Sequence, residues 1–366
     1  MTLHKFSIDG SVACLGHKFL VELSGPILTS SERELLKKLK PIGFIPFAKN
    51  FLGHAEGVSY SYDRWLKGFS QLIGDFKEAT EQTEIIVAID HEGGRVVRPP
   101  SPITRFPYAA HWGDKVKEVG DAMAIELKSM GINISFSPCV DIHSNPSNPV
   151  IGERAFGTSA AQVIKSAKIV ADTLLAHCIL PCAKHFPGHG DTDKDTHSEL
   201  AILDRTFEEL RSRELLPFDS MIKAGLPLMM TSHILFPKIE SSTPATLSRK
   251  ILNDILRTEL GFNGVIVSDA LGMEAIRPRF ETPKAVVEAV SAGCDLFIVA
   301  HRVDLNWAIN VADNILKGLS ESNLSEGDLA LSHERIATMF RKLSHHKPIR
   351  LDDDLFATHQ ALSDSL

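Results

Sequence analysis

Eight short apolar runs, each followed by a longer helix-like pattern, constrain this chain more than any other feature. Residues 19–23, 43–47, 85–89, 134–140, 180–183, 228–230, 264–267 and 296–300 predict buried strands. Helix-like stretches follow them at 31–39, 62–77, 115–130, 160–178, 207–224, 248–260, 282–292 and 304–317. Eight strand–helix alternations predict an α/β chain folded as one (β/α)8, TIM-type barrel. The alternative is a doubly wound sheet, but no glycine-rich phosphate loop follows the first strand. The barrel domain is expected over residues 1–345, with a last helix near 325–344 packing outside it. Residues 346–366 are charged and read as an irregular C-terminal tail.

Reactive side chains fall just after the strands: Asp90, Asp141, Lys184 with His185, His233, Asp269 and His301. In a (β/α)8 barrel those ends converge on one face, where active sites form. The densest segment runs from Lys184 to His197, with three histidines, three aspartates and two lysines in fourteen residues. Polar density straight after a buried strand is costly unless it faces a ligand, so this loop is the main site candidate.

Three further segments join it. The run from Asp90 to Arg98 supplies two carboxylates, two arginines and a Gly-Gly pair, a pattern suited to a polyhydroxyl ligand. Arg154 stands between glycines and reads equally as a ligand contact or as a salt bridge to Glu153. Asp269 ends the seventh apolar run, as a buried carboxylate nucleophile or as a cap for the next helix.

Composition narrows the partners. The net charge is −7 and no basic stripe interleaves with aromatics, so nucleic acid is an unsuitable partner. No apolar run reaches membrane-spanning length and no secretory leader is visible, which predicts a soluble, cytoplasmic protein. Five cysteines, mostly in apolar runs, read as reduced core residues. No cofactor and no metal are expected. The stretch from Asp191 begins like an EF-hand loop but has Thr196 and Ile202 where glycine and glutamate are needed, and Lys184 and Lys194 would compete with a zinc ion among the histidines.

The run Lys-His-Phe-Pro-Gly-His-Gly at 184–190, followed by Asp-Thr-His at 195–197, resembles family 3 glycoside hydrolases, in particular the single-domain β-N-acetylglucosaminidases of bacterial peptidoglycan recycling. Asp-His-Glu-Gly-Gly-Arg-Val at 90–96, Gly-Glu-Arg-Ala-Phe-Gly at 152–157 and Val-Ser-Asp at 267–269 support it in the same order. The resemblance implies Asp269 as nucleophile, His197 as general acid/base and Asp195 as the carboxylate paired with it. It also implies that Asp90, Arg98, Arg154, Lys184 and His185 bind the sugar. Ala270 stands where many relatives carry aspartate, and His91 where glutamine is common.

The implied activity is exo-acting, retaining release of N-acetylglucosamine from small carbohydrate substrates, the GlcNAc-1,6-anhydroMurNAc muropeptides. Retaining hydrolysis needs one group to attack the anomeric carbon and one to move the proton, and a histidine titrates in the right range for the second task. Other readings of the same residues are a β-N-acetylglucosaminide phosphorylase, another exo-β-glycosidase, a metal-dependent barrel hydrolase, or a catalytically silent sugar-binding protein.

Overall fold

The computed structural model describes residues 7–53, 60–196, 198–280, 283–321, 324–343 and 349–366. Eight parallel strands close a barrel: β1 (Phe19–Glu22), β2 (Gly43–Ile45), β3 (Ile86–Ile89), β4 (Ile134–Ser135), β5 (Leu180–Phe186), β6 (Leu228–Thr231), β7 (Val265–Ala270) and β8 (Leu296–Val299). The strands follow one another around the ring in chain order, and β1 closes it by pairing Phe19 with Phe297 on β8 and Leu20 with Gly43 on β2. This is the predicted (β/α)8 architecture.

The runs look uniformly apolar because both strand faces are covered. Leu20, Ile86, Ala88, Leu180, Cys182, Leu228, Val265, Val267 and Leu296 fill the barrel interior. Their neighbours Phe19, Val87, Ala183, Met229, Ile266 and Phe297 pack outward in the larger core shared with the helices. The side-chain period of two then places the chemistry. Continuing Ile86–Ala88 gives Asp90, continuing Leu180–Cys182 gives Lys184, and continuing Val265–Val267 gives Asp269.

Helix starts are set locally. Thr29 and Glu32 form a capping box before the helix Ser30–Leu39, and Ser159 with Gln162 does the same before Ala160–Ala176. Asp304 accepts from the Trp307 amide to begin Leu305–Ser320. The expected 207–224 helix is instead two, Phe207–Ser212 and Leu215–Lys223, because Arg213 leaves helical geometry and pairs with Asp191 and Glu214.

Two expectations fail at the C-terminal end. The helix Glu326–Lys342 does not sit outside the barrel: Ile336, Met339, Phe340 and, just beyond it, Leu343 pack into the barrel-interior cluster and seal its floor. Their three- and four-residue spacing makes one apolar stripe. Nor is the stretch after it wholly irregular, since Asp353–Asp364 is a helix capped by Asp352. Its His359 is buried and its Nδ1 meets Glu126 at 2.8 Å, which ties it to the helix Val116–Ser129. A charged composition concealed this one-sided anchoring. All five cysteines are free thiols. Among the described residues, no helix is long and apolar enough to cross a membrane.

Candidate active site

The C-terminal ends of the strands surround a cavity of about 270 Å³. Asp90, Arg98, Arg154, Lys184, His185, Asp195 and Asp269, seven of the eight site residues expected from sequence, line it together. The eighth, His197, lies outside the described residues.

On the β3–β5 flank the polar groups hold one another. Lys184 Nζ donates to Asp90 Oδ1 at 2.8 Å and also pairs with Glu92. Arg154 grips Glu92 with two parallel bonds, Nε to Oε2 and Nη2 to Oε1, both at 2.9 Å. Arg98 lies 3.6 Å from Asp90 and stacks over the Phe47 ring. The Arg154–Glu153 pairing suggested by adjacency does not form; Glu153 turns outward to His111.

Asp90, Glu92, Lys184 and Arg154 stay charged. Burial pushes the carboxyls of Asp90 and Glu92 up, but Lys184 with Arg98, and Arg154 with Lys184, outweigh it and hold both below their ordinary range. Burial pulls Lys184 down, yet Asp90 and Glu92 together raise it above the usual lysine value. The result is a fixed, largely buried array of donors and acceptors that could pair with the hydroxyls of a polar ligand without reorganising.

Behind it, Asp141 organises the loop that follows β5. Its Oδ2 accepts from the His185 backbone N–H at 3.1 Å and from His185 Nδ1 at 2.7 Å, and its Oδ1 accepts from the His189 N–H at 2.6 Å. The His185 proton is thereby held on Nδ1. His189 is buried and pulled down to about 4, so its ring is neutral. It bridges Thr192 (Nδ1 to Oγ1, 2.9 Å) and Thr196 (Nε2 to Oγ1, 3.2 Å), and so fixes the residue next to Asp195. Gly190 permits this path, since a Cβ there would meet the Ile142 carbonyl oxygen at 1.7 Å.

Cys139, Asp141 and His185 bring three potential metal ligands within 4.8 Å of one another. Their chemistry fits a metal poorly: the Asp141 oxygens already accept four hydrogen bonds, counting Cys139 Sγ at 3.4 Å, and burial pushes the Cys139 thiol well above its ordinary value. The Asp191 carboxylate, first in the EF-hand-like stretch, is held instead by Arg205 and Arg213.

The opposite flank is simpler. Asp269 ends β7, its Oδ1 accepting from the Ala270 N–H at 2.7 Å, with Asp195, Thr196, Ala270, Ile298 and His301 around it. The Thr196 carbonyl accepts from the Ala275 N–H at 3.4 Å, linking the two loops. Sequence reading passed over Phe47, and took Glu92 and His189 only as members of their segments, without a role of their own. Glu92 was detectable, since it continues the inward positions beyond Asp90; Phe47 carried no polar signal.

The model described as the glycosyl hydrolase family 3 N-terminal domain matches residues 22–339. A beta-hexosaminidase of Nitrosomonas eutropha is 32% identical over 80% of this chain and 86% of its own length. The beta-hexosaminidase A of Pseudoalteromonas piscicida is 33% identical over 85% of this chain, which spans only 55% of that protein. Among solved structures, a family 3 beta-N-acetylglucosaminidase from Paenibacillus superposes with TM-score 0.84 at 29% identity, covering 96% of this chain and 67% of its own. NagZ from Neisseria gonorrhoeae, in complex with N-trifluoroacetyl-D-glucosamine, gives 0.71 at 26% identity, covering 95% and 97%.

Proposed function

The chain belongs to glycosyl hydrolase family 3, among its β-hexosaminidase relatives, and we propose that it is an exo-acting, retaining β-N-acetylglucosaminidase. The observation that carries this reading is the asymmetry of the cavity. A charged array able to pair with hydroxyls lies on one flank, and two carboxylates, Asp269 and Asp195, stand on the other. A pocket of about 270 Å³ has room for one terminal pyranose, which supports exo action.

In this mechanism Asp90, Arg98, Lys184 and His185 hold the sugar, and Arg154 holds Glu92 against Lys184. Asp269 attacks the anomeric carbon and the glycosidic oxygen departs with a proton from His197, whose imidazole Asp195 orients. The same histidine then takes a proton from water as it displaces Asp269, restoring the free enzyme with the original anomeric configuration. The substrates would be cytoplasmic peptidoglycan fragments, GlcNAc-1,6-anhydroMurNAc muropeptides, as the resemblance carried by the segment from Lys184 to His197 implies; the names of the relatives support the β-hexosaminidase activity alone. No metal has a task in these steps.

A 2-fluoro sugar with a good leaving group tests the assignment, because it traps the glycosyl-enzyme. Mass spectrometry is expected to map the label to Asp269; a label on any other residue would overturn the mechanism. Turnover should also survive dialysis against EDTA, and loss restored by one divalent ion would favour a metal-dependent hydrolase.

A further inference from the structure

The helix Asp353–Asp364 lies beyond residue 339, where the match to the family model ends, and the mechanism above leaves it without a task. Phe356 and His359, three residues apart and so on one face, are its buried side chains. The Phe356 ring meets Tyr62 edge to face at 4.9 Å, and Tyr62 packs on Trp65 at 5.3 Å. Trp65 Nε1 donates to the Ser101 carbonyl at 3.1 Å. His359 works through Glu126, a fully buried carboxylate on the helix Val116–Ser129. Glu126 Oε1 accepts from His359 Nδ1 at 2.8 Å and from Thr104 Oγ1 at 2.6 Å, while Oε2 accepts from the Thr104 N–H at 2.8 Å. Nearer the helix end, Ser363 Oγ donates to the Arg105 carbonyl at 3.1 Å. Three paths from one helix thus converge on residues 101–105.

Those residues support the site. After β3 the chain forms a small hairpin, with His91 paired to Val97 and Gly93 to Val96, and Asp90 and Arg98 stand at its two feet. The segment that follows packs against the turn of the hairpin. The Gly94 N–H donates to the Phe106 carbonyl at 2.8 Å. A Cβ on Gly93 would meet the Pro107 carbonyl oxygen at 2.5 Å, and one on Gly94 would meet the Tyr108 ring at 2.1 Å. With no space between them, a shift of the segment is passed on to the hairpin. The Arg98–Asp90 pair is long, at 3.6 Å, so the placement of this arginine depends on the backbone that carries it.

We propose that the C-terminal helix is a strap that sets the position of this hairpin, with His359 as its positioning residue. The path runs from His359 through Glu126 to Thr104, along the chain to Phe106, Pro107 and Tyr108, and across the Gly93-Gly94 turn to Asp90 and Arg98. The inference rests on the reading of Asp90 and Arg98 as groups that hold the sugar.

The test compares wild type, His359→Leu, His359→Asn and Asp295→Asn, the last a substitution at the far end of the barrel that lowers stability alone. Each full-length protein is assayed below its unfolding transition on an aryl β-N-acetylglucosaminide, with N-acetylglucosamine as a competing ligand. His359→Leu is expected to raise KM and the inhibition constant of N-acetylglucosamine together, by about 5- to 10-fold, the worth of one hydrogen bond to the sugar. Its kcat should stay within about 2-fold, because the holding groups serve bound sugar and transition state alike. His359→Asn, whose amide nitrogen stands near the place of Nδ1, should recover most of the loss. Asp295→Asn should leave both constants within about 2-fold of wild type. Hydrogen exchange read by mass spectrometry should quicken over residues 91–108 in His359→Leu. Unchanged constants, a loss that His359→Asn does not relieve, an equal loss in Asp295→Asn, or faster exchange confined to residues 353–364 would overturn the strap. If His359→Leu fails to fold, Phe356→Ala loosens the same helix at Tyr62 and decides the question by the same constants. A wild type that neither cleaves the aryl glycoside nor binds N-acetylglucosamine overturns the sugar-holding reading itself, and with it this inference.

Discussion

Two buried lysines mark the two ends of this barrel, and they titrate in opposite directions. At the mouth, Lys184 lies between Asp90 and Glu92, and the two carboxylates overcome burial and raise it. At the floor, burial wins over Asp295 and pulls Lys18 down to about 8. Lys18 Nζ donates to the Asp295 backbone carbonyl at 3.2 Å and to Ser332 Oγ at 2.7 Å, while the Asp295 carboxylate is taken by Arg257, Arg335 and the Ile266 N–H. The floor cluster ties β7, β8, the helical stretch Lys250–Glu259 and the sealing helix Glu326–Lys342 together. The mouth cluster faces a cavity. Similar chemistry thus fastens elements at one end and lines a cavity at the other.

The largest expected effect comes from breaking the mouth. Lys184→Met leaves Glu92 with Arg154 and Asp90 with Arg98, so the barrel should fold. Yet the central donor of the array is gone. Loss of one preorganised donor typically lowers turnover by about 10²–10³-fold, and steady-state kinetics on an aryl β-N-acetylglucosaminide should show it. A loss under about 5-fold would mean that the array is structural, like the floor.

The converse substitution is Asp295→Asn at the floor. It leaves Arg257, Arg335 and Lys18 without their shared charge, and stripping one partner from a buried ionic cluster usually destabilises by about 3–5 kcal/mol. Urea unfolding should register that loss, while kcat per folded molecule stays within about 2-fold of wild type. A marked fall in kcat with unchanged stability would erase the distinction between the ends.

The two ends also differed in how much the sequence disclosed. Strands were legible because each apolar run is buried on both faces, and the mouth was legible because period-two counting carries Cys182 to Lys184 and Val267 to Asp269. Adjacency misled at Arg154, whose partner is Glu92, 62 residues away, rather than Glu153. The floor was the least legible region. The stripe Ile336, Met339, Phe340 and Leu343 announces an amphipathic helix, but nothing local says whether it lies against the outside of a barrel or across its end. The tail helix hides for a related reason: its anchor, His359 with Glu126, is a polar contact between residues 233 positions apart.

The smallest effect separates the ends by pH. His91, beside the mouth, is buried and pulled down to about 4 by that burial, and neither ring nitrogen has a hydrogen-bond partner among the described residues. His189 is likewise near 4. An unfolded histidine titrates near 6.5, so above that value both states are neutral and the full stability is present. As pH falls from 6.5 toward 4, the unfolded chain binds protons that the folded chain refuses, and stability is lost, by about 3 kcal/mol for each ring at the acid end. Lys18 acts in a different window. Its folded value near 8 lies below the unfolded value near 10.5, so stability is flat below pH 8 and rises as pH climbs between the two. His91→Gln should therefore flatten part of the acid limb of a stability-versus-pH curve measured by urea unfolding and leave the alkaline limb alone. Lys18→Met should do the reverse. If His91→Gln leaves the slope between pH 6.5 and 4 unchanged, His91 is not held neutral in the folded chain, and the acid sensitivity of the mouth has to come from His189 and the carboxylates.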